Sequence, residues 1–432
     1  MNSPAPEIPN STVLLQMAPH CCSLTKGPKT LPLTKPAQSG NLLELPEKGW
    51  SIQIAHTFQD IADCWNTPPN PFLQSAFLRV LEVYPPRGMS FAYVVFFYEQ
   101  KPAGIAYGQL IDLKIRESLA ASLSTSKSVW GQMKQQLAGL ARYQLLVCGN
   151  MLLTGANGFH FSSTKLSGDL VARLLEAAFR EVSESFRQNG RIVNLFMVKD
   201  INPCCPEVSK TLFLSGFHEF TFQPDMNLAI DRTWTNLDDY FQAMSSKYRV
   251  RARRAIKKGQ GLSKRTLNLA VAEIECASLH HLYREVASNA DFNPYELHPE
   301  YFVALKRALP EQFRIFGYYL KDELVGFFTT IRLEEKMEAH LLGFKNSVNT
   351  SHQLYLNMLY DMVGFAIEEG VSKLGFARTA MEIKSSVGAE PQHLDCRIRH
   401  ASPIANTLMP YFIRWFEPNA DWIQRHPFRK ES

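Results

Sequence analysis

The sequence predicts an α/β protein of two tandem domains, each a mixed, mainly antiparallel central sheet flanked by helices. Each half holds one pair of β-branched and aromatic segments joined by a short polar turn. Phe91 to Tyr98 meets Pro102 to Leu113 across residues 99–101, and Phe313 to Leu320 meets Glu323 to Leu333 across Lys321 and Asp322. A similar succession of strand, long helix, strand, short helix and strand follows each hairpin, at a period far too long for a solenoid. With 432 residues, 45% hydrophobic and 20% charged, the chain has ordinary globular composition and the length for two cores.

In chain order, residues 1–46 carry eight prolines among Ser, Thr and Lys, a composition that predicts a disordered tail. A first domain is expected over 47–232. It opens with a strand from Ser51 to Phe58 and a helix from Asn70 to Tyr84 that turns Phe72, Phe77, Leu78 and Leu81 to one face. After the hairpin, a helical insertion is expected near 115–143, with Trp130, Met133 and Leu137 at helical spacing. Gln144 to Thr154 reads as a long apolar strand. Leu166 to Asn189 is an amphipathic helix with Leu170, Leu174, Leu175, Ala178, Phe179 and Val182 inward, stopped by Gly190. Ile192 to Val198, Pro206 to Ser215 and Phe217 to Ile230 complete the half as strand, short helix and strand.

Residues 233–262 form a basic connecting helix, best seen from Leu237 to Gly261. Lys247, Arg249, Arg251, Arg253, Arg254, Lys257 and Lys258, with Lys264 and Arg265, make nine bases before the next acid at Glu273. The formal net charge is +5, so without these nine it would be −4, and the positive excess is local. Such a stretch attracts an anionic partner. Leu237, Tyr240, Phe241, Met244, Tyr248, Ala252 and Ile256 follow helical spacing and are expected to pack down.

The second domain is expected over 263–402. Thr266 to Ala272 alternates as a strand, Cys276 to Ala290 and Pro299 to Leu309 are helical, and the hairpin is followed by a third strand, Lys336 to Phe344. Then come the helix Gln353 to Glu369, the strand Val371 to Ala377, a short helix from Thr379 to Val387 and a closing strand from Gln392 to His400. Residues 403–432 read as a helical, aromatic segment packing as core. The eight cysteines show no paired metal spacing, the isolated His280 and His281 have no ligand spacing, and the cysteines read as reduced thiols. No signal peptide and no membrane span are recognisable, so a cytoplasmic location is expected.

Three stretches carry a family resemblance: KYRVRARRAIKKG before the second domain, the hairpin FGYYLKDELVGFF, and FARTAMEIKSSVGA after a long helix. With the twice-seen element order, they make the chain resemble the GNAT acyltransferase fold over roughly 50–400, in the FemAB-like branch that includes peptidoglycan aminoacyl transferases. The resemblance implies an acyltransferase, N-acetyltransferase-like, moving an acyl group from a thioester or ester donor such as acyl-CoA to an amine. Two alternatives stand beside it: a FemAB-like aminoacyl transferase using aminoacyl-tRNA, and a noncatalytic RNA-binding or scaffold protein. Acyl-CoA enzymes of this fold usually carry a glycine-containing loop whose amides grip the pyrophosphate at a helix N-terminus. The corresponding turn, Lys345 to His352, has no glycine, so the usual pyrophosphate loop is not found. Gly155 to Ser163 in the first half has glycines at the wrong spacing.

Acyl transfer to an amine needs a neutral nucleophile and a route for its proton. In Lys336 to Phe344, alternation puts Glu338 and His340 on one face, as candidate general bases. Arg378, Glu382 and Lys384 follow a strand end, a common place for ligand groups in open α/β sheets, although Arg378 and Glu382 are also spaced to pair with each other. Tyr355 lies at a helix start, with His352 beside it, and completes the candidate substrate-binding set. Lys247, Arg251, Arg253, Arg254 and Lys258 are candidate anion ligands, for tRNA or another phosphate-bearing partner. Asp291 to Asn293 reads as a loop that closes over the cleft. The first domain is expected to be scaffold.

Overall fold

The computed structural model of the protein describes residues 42–65, 67–113, 143–163, 165–202, 205–289, 295–416 and 422–429. The tail up to residue 41, the insertion expected near 115–143 and the loop Asp291 to Asn293 lie outside the described residues.

The first half opens with β1 (Leu43–Glu44), β2 (Trp50–Ala55) and α1 (Ser75–Val83). The hairpin β3 (Met89–Tyr98) and β4 (Lys101–Leu113) follows, turning through the left-handed residues Glu99 and Gln100. β5 (Tyr143–Cys148) ends at Gly149, whose φ of 142° stops the strand well before Thr154, where the apolar run alone would have carried it. After β6 (Phe159–Phe161), α2 (Gly168–Gln188) starts where the Ser167 hydroxyl accepts from the Leu170 amide at 3.2 Å, and it buries Leu174, Leu175, Ala178, Phe179 and Val182. β7 (Leu195–Ile201), α3 (Pro206–Leu214) and β8 (His218–Phe220) follow.

β9 (Asp225–Ala229) is separate from β8, and the two enter different sheets, so Phe217 to Ile230 is two strands. The basic segment also divides, into α4 (Leu237–Ala243) and α5 (Ser246–Lys258), because extended backbone at Met244 and Ser245 breaks the helix. Tyr240, Phe241, Met244, Ala252 and Ala255 are buried, whereas Ile256 is exposed rather than part of the stripe. The strand expected at Thr266 to Ala272 is instead β10 (Ser263–Thr266) followed by α6 (Leu269–Ile274). Asn268 caps that helix by accepting from the Val271 amide at 2.9 Å, a local bond that wins over the alternating pattern.

Helices α7 (Cys276–Ala287) and α8 (Tyr301–Ala308) precede the second hairpin, β11 (Phe313–Leu320) and β12 (Glu323–Arg332), and then β13 (Lys336–Phe344). Lys345 to His352 is not a turn, since α9 (Asn346–His352) fills it. The left-handed Gln353, φ 50°, separates α9 from α10 (Leu354–Glu368). β14 (Lys373–Gly375), α11 (Met381–Ser385), β15 (Glu390–Gln392), β16 (Asp395–His400) and α12 (Pro403–Phe416) close the chain. The expected terminal helix ends with α12, and residues 422–429 bridge back to Met244 through Phe428.

One sheet runs β1-β2-β3-β4-β5-β7-β16-β8, with β6 on β4, and the other β10-β11-β12-β13-β14-β9-β15. Described neighbours are antiparallel except β5 with β7 and β13 with β14. Each half lends a strand to the other sheet. β9 of the first half pairs with β14, and β16 of the second pairs with β7, so β16 does not close its own half. One apolar cluster joins Tyr93 and Tyr107 of the first sheet to Tyr301, Ile315 and Phe327 of the second half. The far face of the second sheet packs on α4, α5 and α10, and the far face of the first on α2 and α3.

Candidate functional site

The second sheet buries Met337, Leu374, Met226 and Leu228 on its far face. Alternation therefore turns Lys336 and Glu338 of β13, Lys373 and Gly375 of β14, and Asp225 and Asn227 of β9 to the face beside the first half. The registers Glu338↔Gly375 and Gly375↔Asn227 place three of these in one row. Gly375 is needed there, because a side chain on it would occupy the space of the Glu338 carboxylate. A cavity of about 420 Å³ reaches this face. Lys336, Glu338, Ser372 and Lys373 line it on one side, and Asn70 and Asn157 of the first half on the other.

Glu338 is buried and ion-paired with Lys336. Burial pushes its carboxyl up, Lys336 opposes this, the nearby Asp225 charge adds to it, and the result lies at about 7. A carboxyl poised there is a competent general base near neutral pH. His340 shares the face, as alternation requires, but it is a different kind of group. Its Nε2 meets the Tyr301 hydroxyl at 2.8 Å among Tyr301 and Phe313 rings, and burial drives its pKa down to about 3. It is a neutral core histidine and is not among the residues that line the cavity. Just after it the pairing with β12 slips: the Thr329 hydroxyl donates to the Leu341 carbonyl at 2.8 Å and accepts from its amide at 3.0 Å, bulging the strand.

The group after β14 is dispersed. Arg378 does not pair with Glu382. It reaches the first half, where it binds the buried Asp200 through both guanidinium ends, donates to the Gln223 carbonyl at 2.8 Å and stacks on Phe222. Burial would raise the Asp200 carboxyl, but Lys199 and Arg378 outweigh it and hold it low. Glu382 is exposed and bonds Arg425 instead. Lys384 is buried and donates to the carbonyls of Phe376 and Arg378, each at 2.6 Å, and of Ala377 at 3.3 Å. It ties down a loop whose Ala377, Thr379 and Ala380 are all left-handed, and burial lowers its pKa to about 7. Tyr355 packs against Phe344, and burial pushes its phenol up. Arg378, Lys384 and Tyr355 thus have structural partners.

Helix α5 is seated by Ala252 and Ala255 against α9 and α10, on the far face from the cavity. Its C-terminal end docks at the start of α10, where the Asn357 side chain donates to the Ala255 carbonyl at 3.0 Å. Lys264 and Arg265 find Asp361 and Asp322 at 2.6 and 3.3 Å. Lys247, Arg251, Arg253, Arg254, Lys257 and Lys258 are exposed, with no carboxylate partner among the described residues.

The pyrophosphate of coenzyme A would need free amides at the start of α10. The Asn349 side chain accepts from the Tyr355 amide at 2.9 Å, and the Glu285 carboxylate accepts from the Asn346 amide at 2.8 Å. The chain's own groups thus take the Tyr355 amide at the start of α10 and, with an anionic side chain, the Asn346 amide at the start of α9, which does not suit a pyrophosphate held in the usual way. Among the described residues no group of His, Cys, Asp and Glu is arranged to hold a metal, and no helix is long and apolar enough to cross a membrane. Among the described residues Cys64, Cys148, Cys205 and Cys396 are free thiols.

Sequence reasoning missed Asp225, Asn227 and Lys373. The only signal was the alternation of Asp225, Asn227 and Ala229 with Met226 and Leu228, a pattern that also describes a strand with one wet face.

Residues 246–385, from α5 through α11, match the family model described as an acetyltransferase (GNAT) domain. That match gives this segment, which holds the sheet whose parallel pair ends at Glu338 and Gly375, as a GNAT-type acetyltransferase domain. Among solved structures the chain is similar to FemX, at 12% identity over 83% of this chain and 99% of that one, with a TM-score of 0.48. It is similar to a tandem GNAT protein from the clavulanic acid biosynthesis pathway, at 11% identity over 82% and 99%, with a TM-score of 0.45. A GCN5-related N-acetyltransferase from Anabaena variabilis is 11% identical over 83% and 74%, with a TM-score of 0.40. No curated protein matches the sequence.

Proposed function

We propose that the protein transfers an acyl group from a thioester or ester donor to an amine at the cavity beside Glu338, with Glu338 as general base. The observation that carries this is a buried carboxyl with a pKa of about 7 on the wall of a cavity of about 420 Å³. Glu338 takes one proton from the acceptor ammonium. The freed lone pair attacks the donor carbonyl carbon and forms the C–N bond. Collapse of the tetrahedral centre breaks the C–S or C–O bond, and the leaving thiol or hydroxyl departs with the second amine proton. Glu338 returns its own proton to solvent through the cavity. His340 is no rival base, because a group with a pKa of about 3 has little affinity for the proton. In assays of acyl transfer to a panel of amines, Glu338→Gln loses turnover while its unfolding stays cooperative; normal turnover would end the proposal.

The donor is the point on which α5 bears. Its six exposed bases have no carboxylate partner among the described residues, and its end docks at the start of α10, where the Tyr355 amide is already taken; this favours a donor held through many phosphates over one gripped by a single pyrophosphate. An aminoacyl ester on tRNA has that character. Acyl-CoA remains the comparison ligand: a salt-dependent gel shift with charged tRNA, without thermal stabilisation by acyl-CoA, is the expected pair of results. Stabilisation by acyl-CoA alone would reverse the assignment.

A further inference from the structure

The cavity wall sets two like charges side by side. Lys336 and Lys373 are register partners across the parallel strands β13 and β14, alternation turns both to the same face, and both line the cavity. Like charges directly opposite one another on a sheet are destabilising. The two side chains also converge. A Cβ on Gly375 would come within 3.2 Å of Lys336 Cε, so the Lys336 stem leans over β14, the strand that carries Lys373. Burial, and then the Lys336 charge, hold the Lys373 ammonium below its usual pKa.

The surroundings compensate only part of this charge. Lys336 is ion-paired with Glu338, and Lys373 donates to the neutral Gln392 side chain at 3.1 Å. Glu338 and the buried Lys384 both lie at about 7, so near neutral pH each is partly charged and the two offset one another. Asp225, whose charge Lys373 and Lys384 both feel, is then the one full anion against the two full cations Lys336 and Lys373, which leaves a surplus of one positive charge. Glu334 and Glu335, between β12 and β13, also line the cavity, but both are exposed, where water screens them, and neither forms an ion pair among the described residues. Every lining residue of the first half is uncharged, and Asn70 Nδ2 is spent on Asn157 Oδ1 at 2.8 Å and the Ala156 carbonyl at 3.2 Å. A ligand that settles this wall brings one negative charge and acceptor oxygens for two ammoniums. A carboxylate brings both. A phosphate monoester brings about 1.5–2 negative charges, more than the surplus, and a neutral amide brings an acceptor without charge.

We propose that the substrate taken into this cavity carries a carboxylate, and that Lys336 and Lys373 hold it. The inference rests on reading the cavity as the substrate site of the acyl transfer, and it makes Lys373 a specificity-determining residue beside the base at Glu338. With about 420 Å³ available, the carboxylate belongs to a small free acid or to the C-terminal end of a peptide.

The test is an NMR titration of the full chain at fixed ionic strength with n-butyrate, N-acetyldialanine, the neutral isostere n-butyramide, and n-butyl phosphate. The expected result is saturable binding of the carboxylates and none of n-butyramide, weakened roughly tenfold or more in Lys373→Met and recovered in Lys373→Arg. Tighter binding of N-acetyldialanine than of n-butyrate assigns the carboxylate to a peptide end, and the reverse order to a free acid. Equal binding of n-butyramide, tighter binding of n-butyl phosphate, or unchanged affinity in a folded Lys373→Met variant overturns the proposal; if that variant does not fold, the comparison of ligands on the native chain decides alone. Glu338→Gln keeps both lysines and separates the two readings. Lost turnover in that variant with no carboxylate preference in the native chain keeps the base and removes the carboxylate seat, whereas retained turnover removes the base while the titration of the native chain still decides the seat.

Discussion

Replacing Glu338 by Gln keeps the shape of the side chain and removes its charge, and the structure sets both the sign and the size of the effect. The carboxyl is raised from 4.5 to about 7, so the folded chain holds this proton more tightly than the unfolded chain does. The stability this contributes is fully present below the unfolded value and is lost as pH rises through about 7. A shift of that size corresponds to about 3 kcal/mol, at 1.36 kcal/mol per pH unit. In Glu338→Gln the loss is absent. Urea unfolding should therefore find the variant gaining on the native chain between pH 5 and pH 8, by up to about 3 kcal/mol. Over the same interval native turnover should rise with an inflection near 7 as the carboxylate forms, and the variant should fall by roughly 10²–10⁴ at pH 8. A stability difference independent of pH would refute the reasoning about burial. A native activity profile flat across pH 7 would refute the reasoning about the base.

Four further changes probe the surroundings. Gly375→Ala drives a methyl into the space of the Glu338 carboxylate, so acyl transfer should fall severalfold or more while melting shifts only modestly. His340→Phe strands the buried Tyr301 hydroxyl and should cost about 1–3 kcal/mol in urea unfolding, with turnover per folded molecule unchanged. Arg378→Met leaves Asp200 to Lys199 alone and should cost about 3–5 kcal/mol, read by the same method. Charge reversal at Arg251 and Arg254 together should weaken tRNA binding and reduce the slope of log affinity against log salt by about one per lost phosphate contact; an unchanged slope would return α5 to a solvated face.

Features decided locally were legible in the sequence. The hairpins at Phe91 and Phe313 were readable because β-branched and aromatic runs flank short polar turns, and α2 because its apolar stripe is long and well capped. The shared face of Glu338 and His340 followed from alternation. Their different chemistry did not, because it depends on Tyr301 and Phe313 closing over one and a cavity opening beside the other. Strand exchange was illegible for a similar reason. The pattern of Asp225–Ala229 says which face of the strand is apolar, not which sheet receives it. Arg378 and Glu382 sit four residues apart, a spacing that pairs residues on a helix. The left-handed Thr379 and Ala380 between them break that geometry and free each for a distant partner.

The repeat itself bears on why the proposed site lies in one half. In each sheet the parallel pair ends in register, Cys148 with Val198 in the first and Glu338 with Gly375 in the second. Two residues beyond each comes a left-handed position, Asp200 and Ala377, both at φ 55°. Across from the pair stands the exchanged strand, with Arg397 beside Val198 and Asn227 beside Gly375. At the first of these places Cys148 and Val198 turn to the far face, into the apolar cluster under α2 and α3, and the charges of Lys199 and Asp200 are closed by the Leu153 carbonyl and by Arg378. At the second, a glycine clears the floor for a carboxylate, and the borrowed strand brings acceptors that have no partner among the described residues. The first half's buried Asp200 is thus committed to fastening Arg378, which follows the end of the second half's parallel pair. Exchanging Cys148 for Glu would not transplant the site, because Cys148 and Val198 face the apolar cluster under α2 and α3 rather than the other half.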